Sequence, residues 1–316
     1  MVILDKLLNR APGLFLIGPF CLVLMAAYFA AGQTPNKSKD TSPHKSQTVS
    51  VGAIRLHYLD WGGEGEALLF ISGAGDTAHA FDKIAPKFTD QFRVLALTRR
   101  GFGESDKPEK GYDVPTLAED VRLFLDAMKI QRVHLIGHSA GGNEMIYFAG
   151  RYPKRTRKLV FLDAAYDRRE VPTIEAKDPL AETPRTKPSN QISLSERIES
   201  EYFREMFSFK PNFKRLKAPT LNFYAIFEKH WALKADMDEA TKLRAQKFIE
   251  EFVQPYQNKN IERFRKDVRH ANIVLVRGSN HYFYRDPKKI DEVVATVRRF
   301  LEDAKPAPLV NTKKSD

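Results

Sequence analysis

The pentapeptide Gly137-His138-Ser139-Ala140-Gly141 carries one hydroxyl with a glycine two positions away on each side. A serine hydroxyl is unreactive until something presents it and a base takes its proton, and a G-x-S-x-G turn supplies the presentation. A strand must pass into a helix within a few residues and leave one side chain projecting from the apex. The two glycines let strand and helix approach without Cβ clashes, and the serine is forced into a strained backbone conformation. The same five residues also fit a plain Gly-Ser turn ahead of a helix. The flanks favour a nucleophile elbow at Ser139: residues 133–136 are an apolar run, and Gly141-Gly142-Asn143-Glu144-Met145-Ile146 opens a helix.

An elbow needs a sheet beneath it. The chain has 316 residues, 42% hydrophobic and 29% charged, which is enough for one large α/β domain carrying an insertion. Strands are expected at residues 54–60, 67–71, 94–97, 133–136, 159–162, 220–224 and 273–276, each an apolar or alternating run bounded by turn residues. Between them lies a helix with Thr116 and Glu119 spaced as a capping box and Leu117, Val121, Phe124, Leu125 and Met128 on one face. Further helices are expected around residues 245–256 and after Asp286-Pro287, the last burying Ile290, Val293, Val294, Val297 and Leu301. Strands alternating with helices imply an α/β fold, a mostly parallel sheet with helices on both faces. Residues 164–218 break the alternation. They are polar and proline-bearing with one helical piece near 194–207, and read as a small lid inserted across the sheet's C-terminal edge. Aromatic residues there and just beyond, among them Tyr202, Phe203, Phe207, Phe227 and Trp231, either wall an apolar site or hold the insertion down.

The net charge of +11 comes from Lys and Arg spread along the chain and mixed with acids. That pattern reads as a solvated basic surface and not as a nucleic-acid groove, and it is compatible with attraction to anionic membranes. The single cysteine, Cys21, sits in an N-terminal apolar segment, so disulfides and thiol catalysis are excluded from the folded part. No metal-ligand spacing and no phosphate-binding glycine loop occurs, and neither metal nor cofactor is expected. Residues 1–32 read as a signal peptide or membrane anchor: Lys6 and Arg10 precede the apolar stretch 14–31, and Ala30-Ala31-Gly32 offers small residues for cleavage. An exported protein follows, periplasmic or secreted, or membrane-tethered if the segment is kept. Residues 33–48 are expected to be a disordered linker, 49–303 the domain, and 304–316 a disordered tail.

Four blocks in order make residues 49–303 resemble the α/β-hydrolase superfamily. They are Phe70-Ile71-Ser72-Gly73-Ala74-Gly75, the run from Arg99 to Pro108, the elbow, and Gly278-Ser279-Asn280-His281 before the terminal helix. The resemblance implies a lid-bearing single-domain hydrolase whose Ser, acid and His follow in chain order on loops at the strands' C-terminal ends. It makes Ser139 the nucleophile and His281 the general base. It puts the acid at Glu228, past the 220–224 strand, or alternatively at Asp163, closing the strand before. It draws the oxyanion hole from the backbone N–H groups of Ala140 and Ala74. Two positions depart from the family: Ser72 stands where a His usually precedes the glycine, and Thr98 where an Asp is common. The activity implied is cleavage of a carboxylic ester or related acyl bond in a small-molecule substrate, through an acyl-enzyme. The same triad on an amide or carbon–carbon bond, cofactor-free peroxidase-like chemistry, and a non-catalytic binding protein on this scaffold are the alternatives. Epoxide and haloalkane hydrolysis are disfavoured, because those relatives carry Asp where this chain has Ser139.

Overall fold

The computed structural model describes residues 42–181 and 191–302. The expected signal or anchor segment, most of the expected linker, part of the expected lid and the expected tail lie outside the described residues. Eight strands form one sheet: β1 (Lys45–Val51), β2 (Ile54–Gly62), β3 (Glu66–Ile71), β4 (Phe92–Leu97), β5 (Val133–His138), β6 (Thr156–Leu162), β7 (Thr220–Ile226) and β8 (Ala271–Arg277). Their spatial order is β1-β2-β4-β3-β5-β6-β7-β8. The first three neighbours in this order pair antiparallel, and β4 through β8 run parallel. Every expected strand is present, because a strand covered on both faces must be a short continuous apolar run.

Alternate residues of the central strands enter two separate cores. Leu69, Ile71, Leu135, Leu159 and Phe161 pack with Val121, Phe124 and Leu125 of α1 (Val114–Ala127) and Met145 and Phe148 of α2 (Gly141–Arg151). Leu68, Phe70, Ile136, Val160 and Leu162 face the opposite layer, with Phe81, Phe88 and Val293, Val297 and Phe300 of the terminal helix Ile290–Glu302. Each fully buried Leu, Ile or Phe contributes roughly 1.5–3 kcal/mol by leaving water.

Three local expectations change. The strand β1 occupies residues read as the end of a linker. It is an edge strand paired only to β2, its first four residues are exposed, and so it carries no apolar signature. The helix α1 is capped three residues before Thr116, by Asp113, which accepts the Thr116 N–H at 2.9 Å. Glu119 instead meets Arg122 and the Tyr152 hydroxyl, so no Thr116–Glu119 box forms. The helix placed around 245–256 is longer and interrupted: α-helix over Glu239–Phe248, a π turn at Ile249–Val253, then Gln254–Asp267. Pro255 cannot donate to the preceding turn, which suits a widened turn just before it.

The insertion supplies a short helix, α3 (Val171–Glu175), and a longer one, α4 (Leu194–Ser208), capped by a Ser193–Glu196 capping box. Ile198, Tyr202, Phe203, Met206 and Phe207 of α4 pack directly on Ala74 and Ala140. The lid helix therefore roofs the elbow itself. Beneath it, α2 approaches β6 so closely that a Cβ on Gly142 would stand 2.1 Å from the Ala164 carbonyl oxygen. The obstacle is backbone and cannot swing away. Gly142→Ala is expected to destabilise the protein by about 1–3 kcal/mol or more in urea unfolding, the range for overpacking a tight site; an unchanged midpoint would show that α2 can lift off β6.

Candidate active site

Ser139 closes β5 with φ at +51°, and Asp163 closes β6 with φ also at +51°. Left-handed backbone at a non-glycine residue costs on the order of 1–3 kcal/mol and persists only where the surroundings over-determine it. Both positions are over-determined. The Ser139 N–H donates to the Leu162 carbonyl at 3.3 Å, and its own carbonyl accepts from Gly142 N–H at 3.0 Å. The Asp163 N–H donates to Phe223 of β7 at 2.8 Å.

The Nδ1 of His281, on the loop after β8, lies 2.6 Å from Oδ2 of Asp163. The other carboxylate oxygen accepts from the Tyr166 hydroxyl at 2.6 Å and from the Ala225 N–H at 3.1 Å. Asp163 is thus buried, and both of its carboxylate oxygens have hydrogen-bond partners. Burial, with the Asp163 carboxylate next, raises the Tyr166 phenol well above its ordinary value, so it stays a donor. With Nδ1 donating to Asp163, the Nε2 of His281 is left with its lone pair.

The carboxylate at Nδ1 of the histidine is therefore that of Asp163, the alternative position, while Glu228, expected there first, stands elsewhere. The reason is strand length. The strand β7 runs on to Ile226, two residues past its expected end, and spends the Ala225 N–H on Asp163. Glu228 is carried beyond the sheet edge to an exposed position, its carboxylate beside Gly278.

Ala74 and Ala140 are both fully buried next to Ser139. A Cβ on Gly73 would lie 3.1 Å from the Ser139 Cβ, so the loop after β3 presses against the elbow. The two N–H groups expected to form an oxyanion hole belong to the peptides 73–74 and 139–140. In a trans peptide C=O and N–H point in opposite directions, so whatever holds the carbonyl aims the N–H. Buried arginines hold both. The Arg99 guanidinium donates to the Gly73 and Ser72 carbonyls, each at 2.5 Å, while its charge meets Glu144 at 2.7 Å. Arg168 donates to the Ser139 carbonyl at 2.7 Å, to Ala164 at 3.2 Å and to the Asn143 side chain at 2.9 Å. A cation on the carbonyl also polarises the peptide and strengthens its N–H as a donor. Arg99 opens one of the blocks that carry the resemblance but without a role read for it, and Arg168 does not stand out in a sequence where Lys and Arg are frequent.

His138, beside the nucleophile, is buried behind the site and its Nε2 lies 3.1 Å from the His281 carbonyl. Burial, with His281 and Arg285 next, holds it well below its ordinary value and therefore neutral. It braces the His281 loop. Among the described residues no group of three or more His, Cys, Asp or Glu is arranged to hold a metal.

Ser139, Asp163, Arg168 and His281 open onto one cavity of about 730 Å³, its mouth included. Its walls are mostly apolar: Val171 and Ile174 of α3, Phe207, Phe227, Trp231, Phe248 and Val253. Glu175, at the end of α3, is an exception in this wall. Burial, and then the nearby Asp178 carboxylate, pushes its carboxyl up to about 8.

A family model described as alpha/beta hydrolase fold matches residues 66–283. Over 118 residues the chain is 31% identical to 2-(acetamidomethylene)succinate hydrolase of Mesorhizobium japonicum, covering 37% of this chain and 42% of that one. Over 113 residues it is 33% identical to a soluble epoxide hydrolase of Corynebacterium sp., covering 36% of this chain and 39% of that protein. These matches span about two fifths of the relatives' length. The structure of carboxylesterase CesB from Bacillus subtilis superposes with a TM-score of 0.58 at 17% identity, over 90% of this chain and 99% of that one.

The raised Glu175 carboxyl has a consequence for stability. Its value is about 8 folded against 4.5 for a free glutamate, so between those limits the folded chain holds a proton that the unfolded chain has lost. Stability from this group is present below pH 4.5 and falls as pH rises towards 8. Measured by urea unfolding from pH 5 to pH 8.5, wild type is expected to lose up to about 4 kcal/mol relative to Glu175→Gln; parallel pH profiles would refute the shift.

Proposed function

The chain belongs to the alpha/beta hydrolase fold family, and we propose that it is a serine hydrolase acting on carboxylic esters, with Ser139, His281 and Asp163 as its triad. The observation that carries this reading is the 2.6 Å bond from His281 to Asp163 at the cavity that Ser139 also lines. Strained backbone at both Ser139 and Asp163 supports it, since strain of this kind collects at functional sites.

The chemistry follows from the geometry. As the Ser139 Oγ attacks the ester carbonyl carbon, its proton passes to Nε2 of His281. Asp163 keeps the imidazole in the tautomer that can accept that proton and stabilises the imidazolium that results. The carbonyl oxygen becomes an oxyanion facing the Ala74 and Ala140 N–H groups, whose peptides Arg99 and Arg168 hold from behind. Collapse breaks the bond to the alcohol, which leaves with the proton from His281 and an acyl group on Ser139. Water, deprotonated by the same Nε2, then repeats the sequence and releases the acid. The apolar walls suit an apolar acyl or aromatic part. The N-terminal reading goes with this function as a proposal: residues 1–32 export or tether the domain, so the substrate is met outside the cytoplasm.

A fluorophosphonate is expected to label the folded protein stoichiometrically at Ser139 by mass mapping, and a folded protein left unmodified would sink the proposal. Asp163→Asn should lower kcat by about 10³–10⁴-fold, the cost of the wrong tautomer. Glu228→Gln, a surface change, should alter kcat/KM by no more than about twofold; the reverse ranking would return the acid to Glu228. Arg168→Gln should lower kcat by about 10–100-fold with KM nearly constant, less than removal of an oxyanion donor itself, and a pure KM effect would show that Arg168 binds substrate instead.

A further inference from the structure

The hydrolytic steps leave the Glu175 carboxyl without a role. It lines the cavity, is about nine-tenths buried, and its Oε2 is inaccessible to solvent and has no hydrogen-bond partner. A buried polar group left in this state costs on the order of 1–3 kcal/mol. The field around it is negative, since the neighbouring charge acting on it is Asp178. Asp178 meets His230 through Oδ1 at 3.0 Å, outside the cavity lining, and its Oδ2 is likewise buried without a hydrogen-bond partner.

The walls at this end are aromatic. The Trp231 ring stands 6.0 Å from Phe227 at an interplanar angle of 70° and 6.1 Å from Phe248 at 76°. Ile174, the neighbour of Glu175, packs against this same cluster. His230 stacks on one face of Trp231, at 4.2 Å and 26°; π faces of the remaining rings together with a carboxyl attract a cation and offer nothing to an anion. The positive side chain in the cavity, Arg168, is held at the elbow by the Ser139 and Ala164 carbonyls. The cavity thus carries a committed cation beside Ser139 and an unpartnered carboxyl in its wall.

We propose that Glu175 and the rings of Phe227, Trp231 and Phe248 bind an alkylammonium group, and that the substrate is an ester carrying a tertiary or quaternary amine at one end. The ammonium supplies the partner that Glu175 lacks, and its charge draws the carboxyl back to its ionised form. Apolar surface on the alkyl groups fills the aromatic corner. The identity of the cavity as a substrate site rests on the hydrolase reading, but the ammonium pocket itself does not.

Two measurements test this separately. In the first, Ser139→Ala, which lacks the nucleophile, is titrated with benzyltrimethylammonium and followed by thermal unfolding. A saturable rise in Tm is expected, and it should disappear when Glu175→Gln or Glu175→Leu is added. In the second, butyrylcholine is compared with its neutral isostere, 3,3-dimethylbutyl butyrate. Wild type should favour the ammonium ester by about tenfold or more in kcat/KM, equivalent to about 1.4 kcal/mol, and Glu175→Gln should bring the ratio close to one. No Tm response together with equal use of the two esters would overturn the ammonium pocket even if Ser139 is labelled by a phosphonate. A Tm response that needs Glu175, in a protein that hydrolyses no ester, would uphold the pocket and overturn the hydrolase reading alone.

Discussion

The left-handed turn at Ser139 is the constraint on which the rest of the structure depends. A non-glycine residue takes φ of +51° only when the chain on either side cannot relax. Here β5 is bonded between β3 and β6, and α2 is pressed onto the Ala164 backbone at Gly142. The Ser139 carbonyl is bonded both to Gly142 and to Arg168. The turn is therefore fixed from the sheet, from the helix and from the insertion together. That joint fixing explains why glycine occurs where strand, helix and neighbouring loop come closest.

The site repeats one device at several places: a group at or beside the Ser139 cavity is held from behind by buried partners. The Asp163 carboxylate is held by Tyr166 and the Ala225 N–H while it holds His281. The His281 carbonyl is within bonding distance of neutral His138. The peptides at Ala74 and Ala140 are held through their carbonyls by Arg99 and Arg168. Ser72, where the family usually has histidine, fits this pattern without loss, because its carbonyl serves Arg99 and its hydroxyl lies 3.2 Å from the Asp76 carbonyl. The departure changes a side chain, whereas the positioning is done by the backbone.

How legible each part was follows from where its determinants lie. Central strands such as β3 and β6 show as continuous apolar runs, because residues on both faces are buried. The edge strand β1 has no such run, since its partner on one side is water. The start of α1 turned on Asp113 rather than Thr116, a choice between two competent caps that local sequence leaves open. Ser139 and His281 could be picked out by strand-end position, but the carboxylate that meets His281 could not. Asp163 ends one strand and Glu228 lies just past the next in the sequence, and two extra residues of β7 leave Asp163 as the carboxylate at Nδ1 of His281.

What the sequence by itself determined is the kind of fold, the tight turn at Ser139 and the positions of the strands along the chain, since all three depend on local pattern: burial of runs, close-approach glycines and residue type at strand ends. What only the tertiary structure decided are the pairings across the sheet and the lid. Asp163 meets a histidine 118 residues away, Arg99 reaches back 26 residues to Gly73, and Arg168 returns 29 residues to the Ser139 carbonyl. Glu175 acquires its character from what is missing around it. Such contacts join segments with no shared periodicity, so no spacing in the chain announces them. They exist only once parallel strands have brought their C-terminal ends to one edge and the insertion has folded over it.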